Sequence, residues 1–158
     1  MIRPARPEDG AAIAAIWNRL IRETTATFTT EEKDTAAISA RIAAGAPWWV
    51  ADDGGRVLGH ATYSQFRGGP GYARSMEHSV HLDPAAAGRG LGRALMAALE
   101  DHARGAGVHV MVAGVSGDNT AGLAFHAALA YRETGRMPEV GFKWGRWFDL
   151  VLMQKILG

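Results

Sequence analysis

Gly88 to Gly92, reading Gly-Arg-Gly-Leu-Gly, is the stretch whose residue types and spacing point first to chemistry. It follows an apolar run containing Val80 and Leu82 that stops at Asp83-Pro84. It precedes Leu91, Leu95, Ala98, Leu99 and His102, which recur at three- and four-residue spacing. That order reads as a strand, a glycine-rich turn and an amphipathic helix. Uncovered backbone N–H groups at such a helix start form an anion site, usually for phosphate. The common phosphate spellings do not fit. No Gly-Lys-Ser/Thr is present, and the dinucleotide fingerprint fails because Arg93 or Leu95 stands where Gly or Ala belongs. Gly114-Val115-Ser116-Gly117-Asp118 is a near miss for a nucleophile elbow and is set aside. His78 and His81 are three apart on a strand, so they face opposite ways and do not form a metal pair. The chain has no cysteine, which excludes thiolate nucleophiles, disulfides and Cys-ligated metals.

The elements that must position this stretch can be read along the chain. Ile2 to Arg6 is a short strand. Pro7-Glu8-Asp9 starts a helix whose face is Ile13, Ile16, Trp17, Leu20 and Ile21, running to about Thr24. Thr25 to Glu32 is an irregular polar loop in which Phe28 either plugs the core or lines a pocket. Asp34 caps a second helix with Ile38 and Ile42 inward and Gly45 at its end. Trp48 to Ala51 and Val57 to Phe66 are strands joined by the hairpin signal Asp52-Asp53-Gly54-Gly55. Arg67 to Ser75 is a glycine-rich loop. His109 to Val115 is apolar nearly throughout, as expected of a strand buried on both faces. A short helix from Thr120 to Ala130, a strand from Tyr131 to Met137, a loop from Pro138 to Trp144 and a last strand from Trp147 to Ile156 complete the order. The expectation is one mixed α/β domain over residues 1–158, with an antiparallel middle and one strand–helix–strand crossover.

At 158 residues, 47% hydrophobic, 21% charged and formal net charge +1, the composition is that of an ordinary globular domain. No basic stripe suggests nucleic acid, no apolar run reaches membrane-span length, and Met1-Ile2-Arg3-Pro4 opens no signal peptide. A cytoplasmic enzyme is the expectation.

Ala87-Gly88-Arg89-Gly90-Leu91-Gly92, opening a helix straight after a strand, resembles the pyrophosphate loop of the GNAT superfamily of acetyl-CoA-dependent N-acetyltransferases. Ala87 stands where that family has Gln or Arg. Asn119 followed by Phe125-His126-Ala127-Ala128-Leu129-Ala130-Tyr131 is similar to a second family motif, with His126 for the usual Tyr and Ala130 for the usual Gly. Met76 to Leu82 and Arg136 to Leu150 resemble the phosphinothricin and methionine sulfoximine acetyltransferase branch. The resemblance implies a GNAT-like, mostly antiparallel sheet with flanking helices and a splayed central strand pair. It implies transfer of acetyl from acetyl-CoA, as co-substrate and without a metal, to the α-amino group of a small amino acid, by a cytoplasmic homodimer. A protein N-terminus, lysine or polyamine as acceptor, and a non-catalytic CoA-binding regulator, are the alternatives.

Roles follow from the same resemblance. Glu77 sits where the branch carries its proposed base, and His126 replaces the tyrosine acid that protonates the thiolate. The backbone of Val80, His81 and Leu82 pairs with the pantetheine arm, Gly88, Arg89, Gly90, Leu91, Gly92 and Arg93 hold the pyrophosphate, and Asn119 contacts the cofactor amide or acyl region. A carboxylate or phosphinate on the substrate wants arginine or backbone donors. Arg67, Gly69, Pro70, Gly71, Tyr72 and Arg74 stand just before Glu77, Phe28 is a candidate pocket wall, and Lys143 a candidate closing residue, together with Trp144, Arg146 and Trp147.

Overall fold

The computed structural model describes residues 1–158. The elements are β1 (Ile2–Pro4), α1 (Gly10–Glu23), α2 (Thr35–Ala43), β2 (Trp48–Asp53), β3 (Arg56–Gln65), β4 (Ser75–Leu82), α3 (Leu91–Gly105), β5 (Val110–Ser116), α4 (Thr120–Ala128), β6 (Arg132–Lys143) and β7 (Arg146–Ile156). Seven strands form one sheet in the order β1-β2-β3-β4-β5-β7-β6. Every pairing is antiparallel except β4 with β5. These two are joined through α3, the crossover that a parallel pair requires.

Both faces of the sheet are covered, and β2 shows why its sequence is apolar from Trp48 to Ala51. Trp48 and Val50 pack with Ile13, Ala14, Ile38 and Ile42 of α1 and α2. Trp49 and Ala51 point the other way, into a core shared with Leu95, Met96, Leu99 and Ala103 of α3. The Asp52–Gly55 turn closes as expected, with the Asp52 carboxylate accepting from Gly55 N–H at 2.7 Å.

Two expectations need correction. Pro138 to Trp144 is not a loop: β6 continues to Lys143 through a register shift between Met137 and Gly141. β6 is the sheet's edge, where a proline lacking N–H removes no ladder bond. The bulge is held by Glu139 in a left-handed conformation (φ 54°), with its N–H donating to Asp149 at 3.0 Å. The helix expected to reach Ala130 ends at Ala128, and Ala130 is left-handed at φ 70°. Its successor Tyr131 donates back to the His126 carbonyl at 3.0 Å, closing the helix end. A Cβ in that conformation costs about 1 kcal/mol. Ala130→Gly is therefore expected to stabilise the fold by about 1 kcal/mol, raising the urea midpoint at unchanged slope. A midpoint that stays put or falls would show that the strain is not there.

Candidate active site

β4 and β5 pair only from Ser75 to Glu77 against Val110 to Val112, and then separate. β4 remains paired to β3 as far as Leu82. From His78 to Leu82 its other edge faces a gap instead of a strand, so backbone N–H and C=O groups there are free to receive an extended ligand. A cleft of about 350 Å³ opens at the split, bounded by β4, β5, α1 and the α1–α2 loop. A second cleft of about 230 Å³ shares Ala26, Val80, His81, Asn119 and His126 with it and runs on to Gly92 at the start of α3.

Glu77 stands where the split begins. It is half-buried and lines the larger cleft, and its carboxylate makes no hydrogen bond within the chain. Burial pushes its carboxyl above the ordinary range. Its room comes from Gly114 on β5, where an added Cβ would sit 2.9 Å from Glu77 Oε2. An unpaired carboxylate with a raised pKa in a cleft has the properties of a general base.

The run from Gly88 to Gly92 stands at the start of α3, where an anion site is expected. Gly88 and Gly90 are both left-handed at φ 72°, and Gly90 precedes the first turn of α3. Arg89 N–H bonds back to the Ala86 carbonyl at 3.3 Å, while the N–H groups of the first turn of α3 are left open with the helix dipole behind them. Arg89 faces outward to Asp53 at 3.1 Å, so its side chain belongs to the rim. Leu91 and Arg93 lie in the first turn of α3, and Gly92 lines the smaller cleft. Asn119 caps α4, its Oδ1 accepting from Gly122 N–H at 2.9 Å, and it lines both clefts. Glu77, Val80, His81, Gly92 and Asn119 are thus brought to one continuous groove.

His126 is also there, but its protons are not where a thiolate acid needs them. Its Nδ1 lies 2.7 Å from the Gly122 carbonyl, which can only accept, so Nδ1 carries the hydrogen. Its Nε2 then accepts from His78 Nε2 at 3.2 Å. Burial holds both rings neutral, His78 down to about 3 and His126 below its ordinary range. The expectation of His126 as the acid is corrected on this ground: its one N–H is engaged by its own helix, four residues back.

The residues expected to bind substrate scatter. Lys143 is fully buried, and its ammonium donates to the carbonyls of Ile21, Thr24 and Thr27 at 2.7, 2.7 and 2.9 Å. It ties the end of β6 to the C-terminus of α1, where a cation and free carbonyls complement each other. It has no donor left for a substrate. Lys143→Met would orphan these carbonyls and is expected to destabilise the fold by about 3 kcal/mol, read as a lower urea midpoint. A loss of activity with the midpoint unchanged would contradict the structural role. Phe28 stacks on Phe148 at 5.7 Å and covers Gly141, so it is the plug of the two alternatives. Its neighbours Thr27 and Thr29 face the cleft instead. Arg67, Gly69, Pro70, Gly71, Tyr72 and Arg74 are exposed and stand outside both clefts. Gln65 pins this loop by donating to the carbonyls of Arg67 and Gly69, and Arg67 lies over the Tyr72 ring at 5.7 Å. Sequence reasoning missed Trp17, Lys33, Ser79 and Gly114 as cleft residues. Ser79 was within reach of simple alternation, since it shares a strand face with Glu77.

The split strands, the free β4 edge and the open N–H groups at the start of α3 suit an acyl-CoA-dependent acyltransferase. Residues 13–131 match the acetyltransferase (GNAT) family, and the chain belongs to that family. It is 43% identical over 157 residues to the L-amino acid N-acyltransferase MnaT of Escherichia coli, covering 97% of this chain and 91% of the relative. It is 41% identical to the L-methionine sulfoximine/L-methionine sulfone acetyltransferase of Salmonella typhimurium, covering 97% and 92%. Among solved structures, a phosphinothricin acetyltransferase from Sinorhizobium meliloti in complex with acetyl-CoA superposes with a TM-score of 0.93 at 33% identity, covering 100% of this chain and 88% of that one. The protein is an N-acetyltransferase that uses acetyl-CoA.

Proposed function

We propose that the chain acetylates the α-amino group of a small amino acid of the phosphinothricin or L-methionine sulfoximine/sulfone kind, by direct attack with Glu77 as base. The observation that carries this is the free, half-buried Glu77 carboxylate at the mouth of the strand split, in a cleft of about 350 Å³ that suits a small molecule. The names of the relatives at 41–43% identity point to the same substrates. Acetyl-CoA supplies an acetyl thioester, and the free edge of β4 with the N–H groups of Gly88 to Arg93 fits its extended arm and pyrophosphate. Glu77 takes the proton of the substrate ammonium, directly or through one water, because only the neutral amine is a nucleophile. A backbone N–H near Val80 polarises the acyl oxygen. The N–C bond forms as the C–S bond breaks. The released thiolate takes its proton from solvent, since the one N–H of His126 is engaged by the Gly122 carbonyl.

The β6–β7 hairpin exposes Val140 and Phe142 on the edge strand β6, Trp144 in the turn and Trp147 on β7. An apolar surface of this kind supports a homodimer through that hairpin. Thiol release measured over a panel of amino acids, peptides and polyamines tests the substrate reading. Turnover of phosphinothricin or methionine sulfone is expected, and turnover of peptides or polyamines alone would defeat it.

A further inference from the structure

A chain of hydrogen bonds runs from β2 across β3 and ends at His81 on β4, which lines both clefts. It begins at Trp48, whose indole nitrogen can only donate. Trp48 Nε1 lies 3.2 Å from His60 Nδ1, so His60 Nδ1 is the acceptor. His60 is fully buried and held neutral by burial and by the neighbouring His81, so its hydrogen sits on Nε2. That nitrogen lies 3.3 Å from His81 Nδ1, which must accept in turn. His81 is also neutral, pushed down to about 4 by burial and by the charge on Lys33, and its hydrogen is left on Nε2. Nε2 has no partner in the chain, and His81 lines the cleft. One indole thus sets the tautomer of two histidines and makes the second a fixed, uncharged donor facing the cleft.

Beside it, the Lys33 ammonium lies 4.8 Å from the Trp17 ring, which packs against His81 at 5.0 Å and His60 at 5.3 Å. The backbone of Lys33 is clamped from both sides by Asn18, which accepts from its N–H at 2.6 Å and donates to its carbonyl at 3.0 Å. Lys33 also lines the cleft. Its strand-face partners are Glu77, an acceptor, then Ser79, then His81, so the cleft is negative at one end and donor-rich at the other. A zwitterionic amino acid has the matching polarity.

We propose that His81 Nε2–H and the Lys33 ammonium form a subsite for an oxyanion of the amino-acid substrate, with His60 as the positioning residue that presents the His81 proton. This rests on the amino-acid reading of the cleft. The oxyanion is either the α-carboxylate or an acidic side-chain group, and both would be held by the same charge-assisted donors.

Kinetics with phosphinothricin, with its decarboxylated amine and with norleucine, which lacks the phosphinate, separate the two sources. His81→Phe is expected to raise KM for phosphinothricin about 10- to 100-fold with kcat much less affected. That penalty disappears with the decarboxylated amine if the carboxylate binds there, and with norleucine if the phosphinate does. His60→Phe is expected to raise KM in the same sense, and His60→Gln, which keeps one acceptor and one donor, to restore it. Should His60→Phe not fold, nitrogen-detected NMR of the native enzyme reads the relay directly: both rings are expected as neutral Nε2–H tautomers at pH 7. A KM unmoved in an active His81→Phe enzyme, a penalty equal for all three substrates, or an Nδ1–H His81 would overturn the subsite. Absence of wild-type turnover with every amino acid would instead sink the functional reading.

Discussion

Glu77→Gln is expected to lower kcat/KM by about 10²- to 10⁴-fold, the usual contribution of a positioned base. Acetyl-CoA binding should survive, because the groove that fits it is built from the β4 edge and the turn before α3. The loss should shrink as pH rises, since hydroxide then supplies the neutral amine without Glu77. The same substitution is expected to raise the melting temperature at neutral pH. The sign follows from burial. A carboxyl whose folded pKa is raised binds its proton more tightly folded than unfolded, so its ionisation at neutral pH works against folding. Glutamine removes that charge at nearly constant shape. A less active but more stable variant is what a functional carboxylate in a partly dry cleft predicts. Gly114→Ala, which intrudes on Glu77 Oε2, should reduce kcat in the same direction. Full activity in Glu77→Gln, or a melting temperature that falls, would remove Glu77 from the base role.

The second large effect is acid lability well above the carboxylate range. His60, His78, His81 and His126 are all held neutral by burial. Their folded pKa values are depressed, so below the unfolded value of about 6.5 the unfolded chain takes up protons that the folded chain refuses. Stability is therefore present above that pH and is lost as pH falls toward the folded values. Each such histidine removes up to about 1.4 kcal/mol per pH unit. With folded values of about 3 and 4 for His78 and His81, those two alone take away about 5 kcal/mol by pH 4.5, comparable with a domain's whole stability. Urea unfolding followed by tryptophan fluorescence at pH 7.5, 6.0 and 5.0 is the measurement. Stability flat across that range would mean that the rings are not held neutral, and would also undercut the His60–His81 relay.

Much of the site was legible in sequence because it is made by local backbone. A helix start leaves open N–H groups wherever the chain goes, glycines ahead of it keep them uncovered, and Asn119 caps the helix that follows it. The strand–turn–helix unit, the Asp52–Gly55 hairpin and the two-faced burial of β2 are likewise set by nearest neighbours and by period. An anion site at Gly88 to Gly92 is expected before any fold is known, and the family resemblance then singles out Glu77 as the proposed base.

What only the tertiary structure decided is where long side chains and loops end up. Lys143 has the residue type of a ligand contact, but carbonyls more than a hundred residues earlier in the chain claim its ammonium. Phe28 could have faced a pocket, and Phe148 settled that it plugs the hairpin. The arginines of the 67–74 loop are near Glu77 in sequence but fall outside its cleft. His126 matched the position of an acid, and its own helix fixed its proton elsewhere. Trp48, His60 and His81 carry no motif at all; antiparallel pairing of β2, β3 and β4 is what lines them up. The division has one physical cause. Backbone conformation answers to residues a few places away. A proton's location or a buried cation's partner is a competition among groups that only the assembled fold brings within hydrogen-bond reach.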